Sequence, residues 1–329
     1  MNPFPGEKIF EIEDENTFLH FALEIFQQQA KYNPVYKEYL QHLNIHPQKI
    51  KVIEKIPFLP IQFFKSHTII SGLEKPQIVF TSSGTTGENT SKHLVTDIDF
   101  YEQSFLTGFH HFYGKPSDYY LLALLPSYHE REGSSLIYMC KKLIEETGSE
   151  HSGFYLKDID KLTDKLKYLI QKNDRQIILL GVSFALLDLA EKLSLDLHNV
   201  IIMETGGMKG RKKEMIREEL HHILCEKLNV QSIHSEYGMT ELLSQAYSKG
   251  NGIFSPPPWM KIFIRNPYDP FRILEKGKSG GINIIDLANL NSCSFIETQD
   301  LGRITGENQF EVLGRFDNSD IRGCNLLVE

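Results

Sequence analysis

The 329 residues are 41% hydrophobic and 24% charged, an ordinary globular mix with length for one large domain or two medium ones. A net charge of −8 without any basic stripe argues against nucleic acid as a partner. Four scattered cysteines, no Cys-x-x-Cys, no signal-type N-terminus and no apolar run of membrane-spanning length give the expectation of a reduced, cytoplasmic protein with no membrane span.

Residues 16–32 carry Phe18, Leu19, Ala22, Leu23, Ile25 and Phe26 at helical spacing, which predicts a helix with one buried face. Asn33-Pro34 ends it, because a residue before proline resists helical geometry, and a second short helix follows over 35–43. Two prolines in the apolar run 56–65 predict an extended segment packed on the core. Residues 77–80 read as a buried strand. Thr96-Asp97-Ile98-Asp99 reads as a helix start, with the helix running to about Tyr113.

Further along, strands are predicted over 118–125, 175–180, 199–203 and 231–235. Helices are predicted over 134–146, 157–173, 184–193 and 212–228. This alternation from about 76 to 236 predicts an α/β fold with a largely parallel sheet flanked by helices. Short strands from about 250 onward (259–264, 281–285 and 310–313) predict a smaller β-rich part toward the C-terminus. The pairs His110-His111 and His221-His222 lie on predicted helices and read as surface residues.

Thr81-Ser82-Ser83-Gly84-Thr85-Thr86-Gly87 follows the 77–80 strand, with Lys92 five residues further on. Glycines let backbone N–H groups approach an anion, hydroxyls add donors and the lysine adds charge. A solvated Ser/Thr/Gly linker has the same composition, so the loop alone leaves both readings open. It is neither a Walker A loop nor a dinucleotide fingerprint. Polar clusters also follow the other predicted strands: His129 after 118–125, Gly206-Gly207 after 199–203, and Tyr237 after 231–235. Ligands of parallel sheets collect at the carboxyl ends of strands, so one site could gather all four.

Taken together these residues resemble the motifs of the adenylate-forming superfamily of acyl-CoA synthetases and related ligases. Residues 81–87 with Lys92 look like its phosphate loop, and Tyr237-Gly238-Met239-Thr240-Glu241 like its adenine-and-phosphate motif. Asp300-Leu301-Gly302-Arg303 looks like its ribose segment and Gly314-Arg315-Phe316-Asp317 like its hinge. Within the superfamily, Phe58-Leu59-Pro60-Ile61, Pro126-Ser127-Tyr128 and Arg322-Gly323-Cys324 resemble the acyl-protein synthetases (LuxE-type).

The resemblance implies ATP and Mg²⁺ as cofactors and a carboxylic acid, expected to be fatty, as substrate. Thr81, Ser82, Ser83, Gly84, Thr85, Thr86, Gly87 and Lys92 would hold the β- and γ-phosphates, and Thr240 the α-phosphate. Glu241 would bind the metal, Tyr237 and Gly238 would lie at the adenine, and Gly206 and Gly207 would admit the base edge. Asp300 and Arg315 would hold the ribose. His129 reads either as a gate to the acyl pocket or as a satisfied polar side chain.

Residues 1–313 are expected to form the adenylate-forming domain, with a helical segment at 14–45. Residues 314–329 are expected to be hinge and tail, since twelve residues follow Asp317 and the superfamily's mobile C-terminal domain would need roughly a hundred. The resemblance makes Cys324 the acyl acceptor, passing the group to an acyl reductase or another acceptor protein. A carboxylate–CoA ligase of the phenylacetate type and a non-catalytic nucleotide- or acyl-binding subunit are the alternatives.

Overall fold

Asp14 opens the first helix, α1 (Glu15–Tyr32), by accepting from the Thr17 amide. Asn33 then does two jobs. It ends α1 in extended backbone, and its side chain accepts from the Tyr36 amide at 3.0 Å to cap α2 (Pro34–His42), with Pro34 in the first turn. The proline-broken run is extended only at β1 (Leu59–Pro60), and it closes with one helical turn, α3 (Phe63–Ser66). The computed structural model describes residues 6–82, 90–126, 133–156, 158–192, 195–206 and 215–316.

β2 (Ile78–Thr81) departs from the expectation in two ways. It pairs antiparallel with β3 (Lys92–Val95) in a two-stranded hairpin and stands outside the parallel sheet. Only Phe80 of its four residues is buried. A short apolar run cannot by itself distinguish a two-sided strand from a hairpin arm that leans one residue on the core.

The expected alternation follows. Helix α4 (Ile98–Tyr113), capped by Asp97, leads to β4 (Tyr119–Leu124), and α5 (Ser135–Glu146), capped by Ser134, to β5 (Gly153–Phe154). Helix α6 (Ile159–Lys172) precedes β6 (Gln176–Val182), and α7 (Ser183–Lys192) precedes β7 (Val200–Thr205). Helix α8 (Arg217–Leu228), β8 (His234–Tyr237) and β9 (Ala246–Ser248) complete the layer. Asn173 and Asn229 end α6 and α8 in left-handed backbone, which asparagine tolerates.

The sheet order is β5-β4-β6-β7-β8-β9, parallel throughout except for β9. Its strands are buried on both faces. Leu121, Ala123, Ile178 and Leu180 face one core, while Leu122, Leu124, Ile177 and Leu179 face the other against α6, α7 and α8. β8 lies further along the chain than the predicted 231–235, which brings Glu236 and Tyr237 into the strand.

The β-rich part comprises β10 (Ile253–Phe254), β11 (Met260–Asn266), β12 (Asp269–Ile273), β13 (Ser279–Asp286), β14 (Phe295–Gly306) and β15 (Gln309–Arg315). They run β10-β15-β14-β13-β11-β12, antiparallel, and β1 joins β14 in parallel. Helix α1 packs its buried face against this sheet, where Phe26 meets Phe295 edge-on at 5.8 Å. Among the described residues no helix is long and apolar enough to cross a membrane.

Candidate nucleotide and acyl-activation site

At the loop end of the β2–β3 hairpin Thr81 faces Lys92 in register, and Ser82 and Ser91 close the next rung: each amide is satisfied by the other residue, both at 3.0 Å. The amide of Thr81 donates to the Gly133 carbonyl at 2.7 Å, so the hairpin meets the chain that returns after β4. Ser83, Gly84, Thr85, Thr86 and Gly87 lie outside the described residues, as do His129, Gly207 and Cys324.

A hydrogen bond docks this hairpin on the segment after β8. His93, two residues along β3, lies 2.9 Å through Nδ1 from the Thr240 carbonyl. Thr240 itself is half-buried and Glu241 buried. Asn289 and Asp286 brace the same segment from behind. Asn289 Nδ2 donates to the Glu241 carbonyl at 2.7 Å, and Asp286 accepts from the Leu243 and Ser244 amides at 3.1 and 2.9 Å.

Tyr237 points to the other sheet. Its ring packs between Phe254 and Phe310, with centroids at 5.9 and 5.6 Å, and its hydroxyl donates to Asp300 Oδ2 at 2.8 Å. Arg315, the cross-strand partner of Asp300, donates from Nε to Oδ1 at 3.0 Å. Asp300 is buried while the Arg315 side chain is 75% exposed, so the pair marks the rim of the site. The hydroxyl and guanidinium together hold the Asp300 carboxylate, and Arg315 and Asp300 both influence the ionisation of Glu241.

Burial raises the Glu241 carboxyl above its usual range, against the opposing influence of Ser91. It has no ion pair among the described residues, and no cluster of three metal-ligating side chains forms there. A buried carboxylate that lacks an ion pair suits a hard cation such as Mg²⁺, which takes oxygen ligands. Glu241 therefore fits the Mg²⁺ ligand that the motif implies.

Gly206 ends β7 with φ +70°, in backbone that an L side chain rarely adopts, and its carbonyl accepts from Ser183 Oγ at 2.7 Å. An added Cβ at Gly238 would overlap the Glu236 carboxylate, so that side chain would have to shift to admit one.

Several residues in this region carry no recognisable motif. Glu204 and Glu236 sit near the carboxyl ends of β7 and β8 and are both buried. Burial acts to raise Glu204, but His221 and Arg217 outweigh it and hold the group below its usual range. His221 thus turns inward, where its helix position suggested solvent. Among the described residues Glu236 has only the Thr205 hydroxyl as donor, and burial reinforced by Glu204 pushes it up to about 7. The available signal was an acid inside an apolar strand run, Ile-Ile-Met-Glu-Thr, where a charge needs a partner. His93 alternates with exposed Lys92 on β3, a period-2 signal that became readable only once the hairpin was known.

No protein-family model matches the chain, and no curated protein is similar to it in sequence. Solved structures do match. A 2-hydroxyisobutyryl-CoA ligase in complex with 2-HIB-AMP and CoA aligns with 92% of this chain and 70% of its own, at 12% identity and a TM-score of 0.66. The same ligase in the postadenylation state gives 0.68 over 92% and 68%. ATP-bound MatB from Rhodopseudomonas palustris gives 0.53 at 17% identity, over 72% of this chain and 47% of its own. This chain thus spans about two thirds of the ligase and about half of MatB. At these identities the likeness establishes the fold, which this chain shares with the CoA ligase over 92% of its length.

Proposed function

We propose that this protein activates a carboxylic acid with ATP as acyl-AMP and transfers the acyl group to the thiol of coenzyme A. The observation that carries this reading is the shared fold, over 92% of the chain, with a CoA ligase solved with an acyl-AMP and CoA. The position of the motif residues supports it. A carboxylate oxygen of the acid attacks the α-phosphorus, the bond to the β-phosphate oxygen breaks, and pyrophosphate leaves. A thiolate then attacks the acyl carbonyl and AMP departs.

Negative charge grows on phosphate oxygens in the first step, so positioned donors supply most of the catalysis. Thr81, Ser82, Lys92 and the loop between them hold the β- and γ-phosphates. Thr240 meets the α-phosphate, Asp300 and Arg315 hold the ribose, and Tyr237 fixes Asp300 in place. Gly206 and Gly207 admit the base, with Gly238 at its other side. Mg²⁺ held by Glu241 would offset phosphate charge.

A second reading, self-acylation, rests on Arg322-Gly323-Cys324 and the other segments that resemble acyl-protein synthetases. There the thiolate is that of Cys324, Arg322 favours its ionised form, the acid is fatty, His129 gates the pocket and the acceptor is a reductase. One experiment separates the readings: intact-protein mass and pyrophosphate release with ATP, Mg²⁺ and a panel of acids, with and without coenzyme A. Acyl-CoA formed equally by wild type and Cys324→Ala supports the ligase. A hydroxylamine-labile adduct on wild type alone supports self-acylation. ATP binding without pyrophosphate in any mixture leaves a binding subunit and overturns both.

A further inference from the structure

The proposed chemistry needs two phosphate-contacting groups on different parts of the chain: Lys92 with its loop on the hairpin, and Thr240 after β8. Reacting groups must be held closely, and a displacement of about 1 Å can cost on the order of 100-fold in rate. Something has to set the distance between hairpin and motif.

His93 is placed to do so. It follows Lys92 on β3, where alternation turns Lys92 outward and His93 inward to 1% exposure. Its Nδ1 lies 2.9 Å from the Thr240 carbonyl and its Nε2 lies 2.9 Å from Ser292 Oγ. Phe64 packs edge-on against the ring at 5.6 Å. A carbonyl oxygen only accepts, so the proton must be on Nδ1. Nε2 is then an acceptor for the Ser292 hydroxyl, whose alternative partner, the Asn289 carbonyl, is further away at 3.5 Å. Ser292 is anchored in turn, because its carbonyl accepts from Ser71 Oγ at 2.6 Å and Asn33 Nδ2 at 2.9 Å. The resulting chain of bonds has one direction: Ser292 O–H to Nε2, then Nδ1–H to the Thr240 carbonyl.

We propose that His93 is a positioning residue for the adenylation step, holding the Thr240 carbonyl through its Nδ1–H so that Lys92 and Thr240 stay in register on one triphosphate. This rests on the reading of Lys92 and Thr240 as phosphate ligands. His93 touches neither substrate nor phosphate. It acts through the backbone of Thr240.

The test uses the full chain and two amides that each copy one ring nitrogen. In His93→Asn the amide nitrogen stands where Nδ1 stood and still donates to Thr240. In His93→Gln it reaches toward Ser292 and loses Thr240. Pyrophosphate release is measured against ATP, alongside thermal unfolding. The expected result is a turnover number within about 5-fold of wild type for Asn and a fall of about 30-fold or more for Gln at similar melting temperatures, by the positioning cost above. The ¹⁵N imidazole signal that vanishes in His93→Asn is expected to report the Nδ1–H tautomer. Equal losses in Asn and Gln, activity that follows melting temperature alone, or an Nε2–H tautomer would overturn the inference while the proposed function stands. A wild type that releases no pyrophosphate with any acid would overturn both.

Discussion

The two sheets supply functional groups in opposite ways. In the parallel sheet, helices cover both faces, and Leu122, Leu179 and Ile202 are completely buried. β4, β6 and β7 are mainly apolar, and polar side chains gather at the carboxyl end of β7, at Glu204 and Thr205, and along β8, at Ser235, Glu236 and Tyr237. In the antiparallel sheet, β14 carries Thr298 and Asp300 within the strand, and β12 and the end of β15 are open to solvent. A charge within a doubly covered strand loses its hydration on both sides, whereas a sheet with an open face can seat one near a rim. Tyr237 bridges the two designs, rooted at the tip of one sheet and bonded to a mid-strand acid of the other.

Replacing one doubly covered side chain tests the comparison most severely. Leu179→Ala removes fully buried volume from β6 and is expected to cost about 2–5 kcal/mol, read from the urea midpoint. A cost below about 1 kcal/mol would mean that the sheet collapses around the gap and is less tightly held than its burial suggests.

The next effect depends on pH. Because Glu236 titrates at about 7 in the folded chain, above its ordinary 4.5, the folded state keeps the proton longer. The stability so gained is present at acid pH and is lost as pH rises from 4.5 through 7. Glu236→Gln keeps an acceptor for Thr205 and has no proton to lose. Its stability relative to wild type is expected to rise by up to about 3 kcal/mol between those limits, measured by unfolding at pH 4.5 and 8. Parallel pH curves would show that Glu236 stays ionised.

At the bridge, Asp300→Ala strands the buried Tyr237 hydroxyl and frees Arg315. The expected loss of stability is about 1–3 kcal/mol. If Asp300 holds a ribose, kcat/KM for ATP falls at least about 10-fold as well, since a hydrogen bond to a charged group is worth about 1.5–3 kcal/mol. Lost stability with unchanged ATP kinetics would assign the acid to the sheet interface alone. At the small end, Leu313→Ala on the open side of β15, at 51% exposure, is expected to change stability by less than about 0.5 kcal/mol. A larger cost would show that this face is covered in solution.

Helices α1, α2, α4 and α5 stand close to the expected ranges 16–32, 35–43, 96–113 and 134–146, and the caps Asn33 and Ser134 became visible in the structure. The parallel order of β4, β6, β7 and β8 follows from their alternation with helices. The 77–80 run was legible as a strand but not as a hairpin arm, because its partner lies beyond a loop and pairing is not written in either segment. The roles of Asp300 and Arg315 rested on motif resemblance, and the register of β14 with β15 brings them within 3.0 Å. Glu204, Glu236, His93 and Asp286 had no motif at all.

What the sequence determined by itself was local and periodic: where helices begin, which strands are apolar on both faces, and which segments carry donors for an anion. Hydrophobic period and capping chemistry act over a few residues, so one chain suffices to read them. The tertiary structure alone decided the long-range meetings: Lys92 opposite Thr81, His93 against Thr240, and Tyr237 against Asp300 across 63 residues. Those depend on strand register and sheet docking, which burial of the whole core fixes and no short segment encodes.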